Sequence, residues 1–337
     1  MDMEYITLGK TGLRISRMGF GGIPIQRADK DSACLLFDAL ERAGVNYIDT
    51  ARGYTVSESY IGYALRGRRD RFVLATKSFA RTRDAMAADI DLSLSTLGVD
   101  YIDIYQVHNP SPEQFNTVIG EGGALEALME AKAAGKIGHI GLTAHSLAVF
   151  ETALDFDWVE TLMFPYNIVE TQGEELIAEC AKRNIGFIAM KPLAGGAISD
   201  GNTAIRFVCS NKNVSVVIPG MADTEEIERN AAAVCDSSAL SEAELCAIET
   251  IRGELGGNFC RRCGYCAPCT VGISIPSVFH FDGYLTRYSL SDWAHERYDS
   301  LSVKASACIN CGVCETRCPY ELPIRKMMRE ASSRFDS

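Results

Sequence analysis

Apolar residues in this chain gather in short runs, and between the runs they recur every three or four positions. Eight runs have strand length and a Val, Ile, Leu and Phe bias: 17–20, 46–50, 72–77, 101–107, 137–143, 159–164, 185–191 and 215–218. Helical periodicity predicts 31–43, 57–65, 83–97, 123–134, 146–154, 173–182, 203–210 and 224–233. The strand runs are apolar nearly throughout, as parallel strands covered on both faces are. Strand then helix, eight times over about 250 residues, is the count of a (β/α)8, or TIM, barrel of the α/β class. A doubly wound open sheet is the rival, but Gly19-Phe20-Gly21-Gly22 lacks the G-x-G-x-x-G spacing of its first turn. Segments 6–8 and 13–15, around Lys10-Thr11-Gly12, read as a hairpin ahead of the barrel. A helix at 241–252 opens on a Ser241/Glu244 capping box and closes it.

The pattern changes after Gly253, with Gly256-Gly257 as a hinge. This divides the chain into a barrel domain, 1–252, and a small, mostly helical domain, 253–337. Within the latter, Phe279, Phe281 and Tyr284 stand at near-helical spacing and read as core. The sequence reads as having no internal repeat and no low-complexity tract.

Eight of the thirteen cysteines fall in two runs of the second domain. Cys260, Cys263, Cys266 and Cys269 are spaced C-x2-C-x2-C-x2-C. Cys308, Cys311, Cys314 and Cys318 are spaced C-x2-C-x2-C-x3-C, with Pro319 following. Two residues between thiolates let one looping segment offer three sulfurs to three corners of a cubane, and a fourth cysteine closes the site. The spacing is that of bacterial ferredoxins and predicts two [4Fe–4S] clusters. Structural zinc is the rival reading of such knuckles; the terminal C-x3-C-P favours iron–sulfur. By resemblance to two-cluster ferredoxins the fourth cysteines cross over. Cys318 then joins Cys260, Cys263 and Cys266, and Cys269 joins Cys308, Cys311 and Cys314.

Composition narrows the setting. Hydrophobic content of 47% with 23% charged residues is that of a soluble globular chain. The net charge is −11 with no basic run of nucleic-acid type, so no nucleic-acid partner is expected, while a basic redox partner protein would suit the acidity. Met1-Asp2-Met3-Glu4-Tyr5 has neither the basic nor the apolar region of a secretory signal. No apolar stretch approaches the roughly 20 residues of a membrane span. Thiolate clusters need reducing surroundings, so a cytoplasmic location is expected. Cys34, Cys180, Cys209, Cys235 and Cys246 read as small buried hydrophobes.

Ionisable side chains mark the strand ends, where barrel enzymes place their chemistry. The stretches Asp49-Thr50-Ala51-Arg52-Gly53-Tyr54, Ala75-Thr76-Lys77 and Val107-His108-Asn109-Pro110 resemble the catalytic tetrad of the aldo-keto reductase family. Leu8-Gly9-Lys10-Thr11-Gly12-Leu13 and Lys191-Pro192-Leu193 extend the resemblance over the whole barrel. The chain as a whole is similar to a subgroup of that family with a C-terminal four-iron ferredoxin module. The resemblance implies that Tyr54 is the general acid, Lys77 its tuner, Asp49 the partner of Lys77 and His108 the group that orients the substrate. Unperturbed tyrosine titrates near pH 10; a neighbouring ammonium would lower that, and a carboxylate would keep the lysine charged.

It further implies NAD(P)H across the barrel mouth, at Gly22, Thr143, Pro192, Leu193, Gly220, Glu226 and Asn230. Several positions depart from the family pattern. Thr143-Ala144 replaces Ser-Asn, Met163 replaces Gln, Met190 replaces the aromatic that stacks on nicotinamide, and Gly220 and Glu226 replace basic residues that grip the 2′-phosphate. A carboxylate repels phosphate and accepts from a ribose hydroxyl, which favours NADH over NADPH. Hydride carries two electrons and a cluster one, so a flavin is the group that would split the pair, although the sequence offers no dependable flavin motif.

Three functions stay open. The first is an oxidoreductase reducing a carbonyl or activated double bond (an enone, for example) at the barrel, with electrons linked to the clusters. The second is a plain NAD(P)H-dependent carbonyl reductase with structural or redox-sensing clusters. The third is an electron-transfer subunit whose barrel is a scaffold. The specificity loop 109–122 holds few distinctive groups, and Arg52, His145 and Tyr166 read first as generic loop residues, with a place at the pocket mouth as the alternative.

Overall fold

The structure is a computed structural model that describes residues 2–336; Met1 and Ser337, the outer ends of the two expected domains, lie outside it. Packing divides the chain into two units. The first runs to Asn167 and adds Thr171–Leu193 and Asp200–Ser241. The second comprises Ile168–Glu170, Ala194–Ser199 and everything from Glu242 onward. The helix that the sequence reading sets at the end of the barrel thus groups with the cysteine-rich part.

The first unit opens with an antiparallel hairpin, β1 (Tyr5–Thr7) and β2 (Arg14–Ser16). Among the described residues, eight parallel strands follow: β3 (Gly19–Gly21), β4 (Tyr47–Asp49), β5 (Val73–Ser78), β6 (Ile102–His108), β7 (Ile137–Thr143), β8 (Thr161–Pro165), β9 (Gly186–Met190) and β10 (Val216–Ile218). Each pairs with its sequence neighbour, and the bridges Met18↔Val217 and Gly21↔Gly220 close the cylinder. The helices of this unit are α1 (Lys30–Arg42), α2 (Ser57–Ala64), α3 (Arg83–Leu97), α4 (Pro112–Ile119), α5 (Ala124–Ala133), α6 (Leu147–Ala153), α7 (Glu174–Lys182), α8 (Gly201–Ser210) and α9 (Thr224–Cys235).

Side chains on a strand alternate faces. Tyr47, Ala75, Ile104, Met163, Ile188 and Val216 take the inward set and fill the barrel with Leu8 and Ile15 of the hairpin. The hairpin seats tightly. Lys10 N–H donates to Asn184 O at 2.6 Å, and a Cβ on Gly186 would stand 2.5 Å from Leu8 Cδ1. Glycine at 186 is therefore the residue that admits the plug.

The structure corrects the sequence reading in three places. Segment 109–122 is not loop throughout, because α4 forms within it. Ser111 Oγ accepts from Gln114 N–H and Gln114 Oε1 accepts from Ser111 N–H, a full capping box that starts the helix while Phe115 and Val118 bury its inner face. Of the five cysteines outside the two runs only Cys180 is buried, and Cys246 is exposed; helical periodicity alone leaves the rotation of a single thiol open. A short internal repeat also exists, described below.

The second unit holds α10 (Glu242–Gly256), α11 (Ile275–Thr286), α12 (Ser291–Asp299), α13 (Val313–Thr316) and α14 (Ile324–Phe335). Its core gathers Val278, Phe279, Tyr298, Ile324 and Met328, with cysteines of both runs packed at the edge. Tyr298 stacks on Phe335, ring centroids 4.2 Å apart, and its hydroxyl donates to Asp336 Oδ2 at 2.8 Å. Among the described residues no helix is long and apolar enough to cross a membrane.

Candidate active site and cysteine-rich loops

The alternation that fills the barrel also builds a polar layer on top of it. Two residues above Tyr47, Ala75 and Ile104, on the same faces of β4, β5 and β6, stand Asp49, Lys77 and Gln106, with His108 one step higher. Lys77 Nζ donates to Asp49 Oδ2 at 2.5 Å and to Thr50 O at 2.7 Å. Gln106 Nε2 donates to the other Asp49 oxygen at 3.0 Å. Burial raises the Asp49 carboxyl and lowers the Lys77 ammonium, and each charge pulls the other part of the way back.

Tyr54 arrives from the turn after β4, where its N–H donates to Ala51 O. Lys77 Nζ lies 5.0 Å from the centre of its ring. The Tyr54 ring meets His108 edge-on at 5.9 Å, and Phe79 stacks flat on His108 at 3.9 Å. Asp49, Tyr54, Lys77 and His108 are each no more than 8% exposed. The structure thus brings the four expected residues together.

It also adds residues that the sequence reading missed. Gln106 carried a signal, a polar side chain two places before His108 in an otherwise buried strand. Phe79 carried none. Arg81 donates to His108 O at 2.8 Å and to Asn109 O at 3.3 Å, tying two loops, and burial brings its guanidinium down to about 10. Arg52, for which the pocket mouth is the alternative to a generic loop role, is paired with the buried Glu58, which also accepts from Thr76 at 2.7 Å and Ser93 at 2.9 Å. Tyr166 is buried, and its hydroxyl donates to Glu174 at 2.6 Å.

The expected dinucleotide positions fall into two groups. Gly22, Thr143, Pro192, Leu193 and Gly220 follow or end β3, β7, β9 and β10, all at the same end of the barrel. Three of them already have local work. A Cβ on Gly22 would stand 2.7 Å from Asp49 O, and one on Gly220 would stand 2.9 Å from Pro24 Cγ. Thr143 Oγ1 accepts from Asn109 N–H at 3.0 Å. Glu226 and Asn230 lie one turn apart on α9. Glu226 Oε2 accepts from Ala222 N–H at 2.6 Å while Asp223 Oδ1 accepts from Glu226 N–H at 2.7 Å, so two carboxylates surround the start of this helix.

In the second unit the two cysteine runs fold alike. The residue before the second cysteine and the glycine after it are left-handed in both: Arg262 and Gly264 with φ of 57° and 85°, Asn310 and Gly312 with φ of 59° and 78°. This is the repeat C-x-x-C-G-x-C, at 260–266 and again at 308–314. Backbone turned this way directs N–H groups into a concavity suited to an anionic group, iron–sulfur clusters included. Arg262 N–H points at the Cys260 sulfur and Val313 N–H at that of Cys311.

Cys308, Cys311 and Cys314 line one hollow together with Cys269 of the other run. Cys260 and Cys263 lie within electrostatic reach of Cys266, whose thiol burial pushes up to about 12. Cys318 packs on the same core. Among the described residues, no three His, Cys, Asp or Glu side chains converge as they would around a single ion. Donor chemistry, inward N–H groups and a thiol-lined hollow fit a four-iron cluster.

Comparison with known proteins agrees with this architecture. The family model described as "Aldo/keto reductase family" matches residues 17–204, and that described as "4Fe-4S dicluster domain" matches 259–323. L-galactose dehydrogenase of Arabidopsis thaliana is 26% identical over 301 residues, 72% of this chain and 93% of its own. NADH-specific methylglyoxal reductase of Escherichia coli is 32% identical over 228 residues, 58% of this chain and 69% of its own. The solved aldo-keto reductase AKR11C1 from Bacillus halodurans, in its holo form, superposes with a TM-score of 0.66 at 23% identity, covering 74% of this chain and 96% of that one.

Proposed function

The chain belongs to the aldo/keto reductase family and carries a 4Fe-4S dicluster domain, which implies two clusters; from that premise we propose that it reduces a small-molecule carbonyl or activated double bond at the barrel mouth, with electrons linked to the two clusters. Enzymes of this family are oxidoreductases that normally use NAD(P)H. The observation that carries the reading is the buried group of Asp49, Lys77, Tyr54 and His108 at one barrel end.

Tyr54 donates the proton to the substrate oxygen. Lys77 stands beside its ring as a cation, and Asp49, held by Gln106, keeps that cation in place. His108, fixed by its stack on Phe79, orients the oxygen. Burial of all four excludes water and strengthens each electrostatic contact. When bound, the nicotinamide supplies hydride to the carbon. Gly22, Thr143, Pro192, Leu193, Gly220, Glu226 and Asn230 are the proposed contacts. The carboxylates of Asp223 and Glu226 at the start of α9 support NADH over NADPH, and the Escherichia coli relative named for NADH specificity points the same way.

In the second unit, Cys260, Cys263, Cys266 and Cys318 would hold one cluster and Cys269, Cys308, Cys311 and Cys314 the other; the shared hollow of the latter four supports the crossing. A flavin or a redox partner protein would convert between hydride and single electrons. Thiolate clusters of this kind suit the cytoplasm.

The test uses anaerobically purified protein. About eight irons per chain, with cluster colour that bleaches on adding NADH, is the expected result. Tyr54→Phe should keep the iron and lose carbonyl reduction; full activity in that variant would sink the proposed acid. Eight irons that ignore NADH in an active enzyme would favour a plain reductase with structural clusters.

A further inference from the structure

The two cysteine loops share a backbone but not a charge. Arg262, between Cys260 and Cys263, occupies the place that Asn310 holds in the other run. Arg262 Nη1 donates to Cys260 O at 3.3 Å. Its Nη2 is paired with Glu170 Oε1, and the two side chains are only 9% and 0% exposed. Glu170 is distant in sequence. Its short segment is tied to the same loop a second time, by Arg261 Nε donating to Val169 O at 2.8 Å. In the other run, the residue matching Arg261 is Ile309, which is 60% exposed.

A four-iron cluster gains negative charge when it takes up an electron. A fixed cation beside it favours the reduced form and a fixed carboxylate opposes it, and both effects grow where water is excluded. The guanidinium that donates to Cys260 O is itself paired with Glu170, so both charges stand beside the loop that presents the Cys260 sulfur.

We infer that Arg262 and Glu170 set the reduction potential of the cluster held by Cys260, Cys263 and Cys266, with Glu170 offsetting the guanidinium and so holding that potential down. The inference rests on the ligand assignment proposed above. It makes the two clusters separately adjustable: the first by a buried ion pair, the second by Arg325, whose partner Glu315 lies at 2.7 Å but whose side chain is 43% exposed.

The experiment is a potentiometric series on the intact protein, with dithionite as the one-electron donor and electron paramagnetic resonance as the readout. Glu170→Gln keeps the shape and removes the charge. The expected result is a rise in the potential of one cluster by at least tenfold in the reduction equilibrium, about 59 mV for one electron, with the other unmoved. Arg262→Gln should move the same cluster the opposite way. Glu315→Gln should raise the other cluster alone, and by less.

Glu170→Gln with its iron retained and both potentials unchanged would overturn the inference. If Glu170→Gln loses iron, Arg262→Gln decides: an unchanged or raised potential overturns the proposal as well. Fewer than two reducible clusters in the unaltered protein would instead overturn the ligand assignment, and this inference with it.

Discussion

Asp49 and Lys77, at the ends of neighbouring strands β4 and β5, meet at 2.5 Å with 4% and 2% of their side chains exposed. Neither charge is favoured there alone. Removing one partner of a buried pair costs about 3–5 kcal/mol when the other charge is stranded. Lys77 is already pushed down by burial and can shed its proton, so the cost of Asp49→Asn should fall at the lower end. Its catalytic cost should be larger, because a neutral amine then stands beside Tyr54 in place of the cation. We expect kcat for carbonyl reduction to fall by about 100-fold or more, the scale of general acid catalysis, with a folded, iron-replete protein by circular dichroism and iron assay. Wild-type kcat in this variant would remove Asp49 from the mechanism.

Phe79 acts on His108 through a flat stack at 3.9 Å. Phe79→Ala frees the imidazole without touching Asp49, Lys77 or Tyr54. The expected change is a rise in KM of roughly tenfold, about 1.4 kcal/mol of lost orientation, with a smaller change in kcat. Steady-state kinetics that leave KM unmoved would show that His108 needs no such support.

Glu160 provides the pH dependence that is simplest to isolate. Burial alone would raise its carboxyl, but hydrogen bonds from His139, Lys132 and the Ile140 N–H outweigh it and hold the group at about 2 against an ordinary 4.5. A depressed carboxyl stabilises the fold fully above pH 4.5, and that contribution is lost as pH falls from 4.5 toward 2. The amount is on the order of 3 kcal/mol. Urea unfolding of the barrel should therefore show a drop in midpoint across this window that Glu160→Gln removes. Equal slopes in both proteins would place the acid sensitivity elsewhere.

Cys311 is the exposed member of the thiol set that lines the hollow with Cys269, Cys308 and Cys314. Cys311→Ala should lower the iron content from about eight to about four per chain and leave one signal in the reduced spectrum. Unchanged iron would mean that Cys311 is not a ligand. Cys246, exposed on α10, serves as the matched control, and Cys246→Ala should keep all the iron.

Much of this molecule is written locally. Strand-length apolar runs and 3.6-residue periodicity are properties of neighbouring positions, so the eight strand–helix alternations could be read without a fold. Two-residue gaps between cysteines constrain a loop in the same local way. Asp49, Lys77 and His108 stood out because each is an ionisable residue at the end of an apolar run. Even the capping box that starts α4 was present in Ser111 and Gln114, though a segment expected as loop concealed it.

What remained hidden depends on closure and long-range packing. Gln106 meets Asp49 across 57 positions of sequence, and Arg262 meets Glu170 across 92. Whether Glu226 lies open or caps its own helix is decided by the turn at Asp223. The repeat C-x-x-C-G-x-C stands in the sequence, but the left-handed φ angles that Arg262 and Asn310 share, despite their different chemistry, are seen only in the structure. The sequence by itself determined which elements form and which side chains can carry charge or bind metal, because those follow from spacing. Only the tertiary structure decided which of them meet and which are sealed from water, because burial and partnership arise when distant segments pack together.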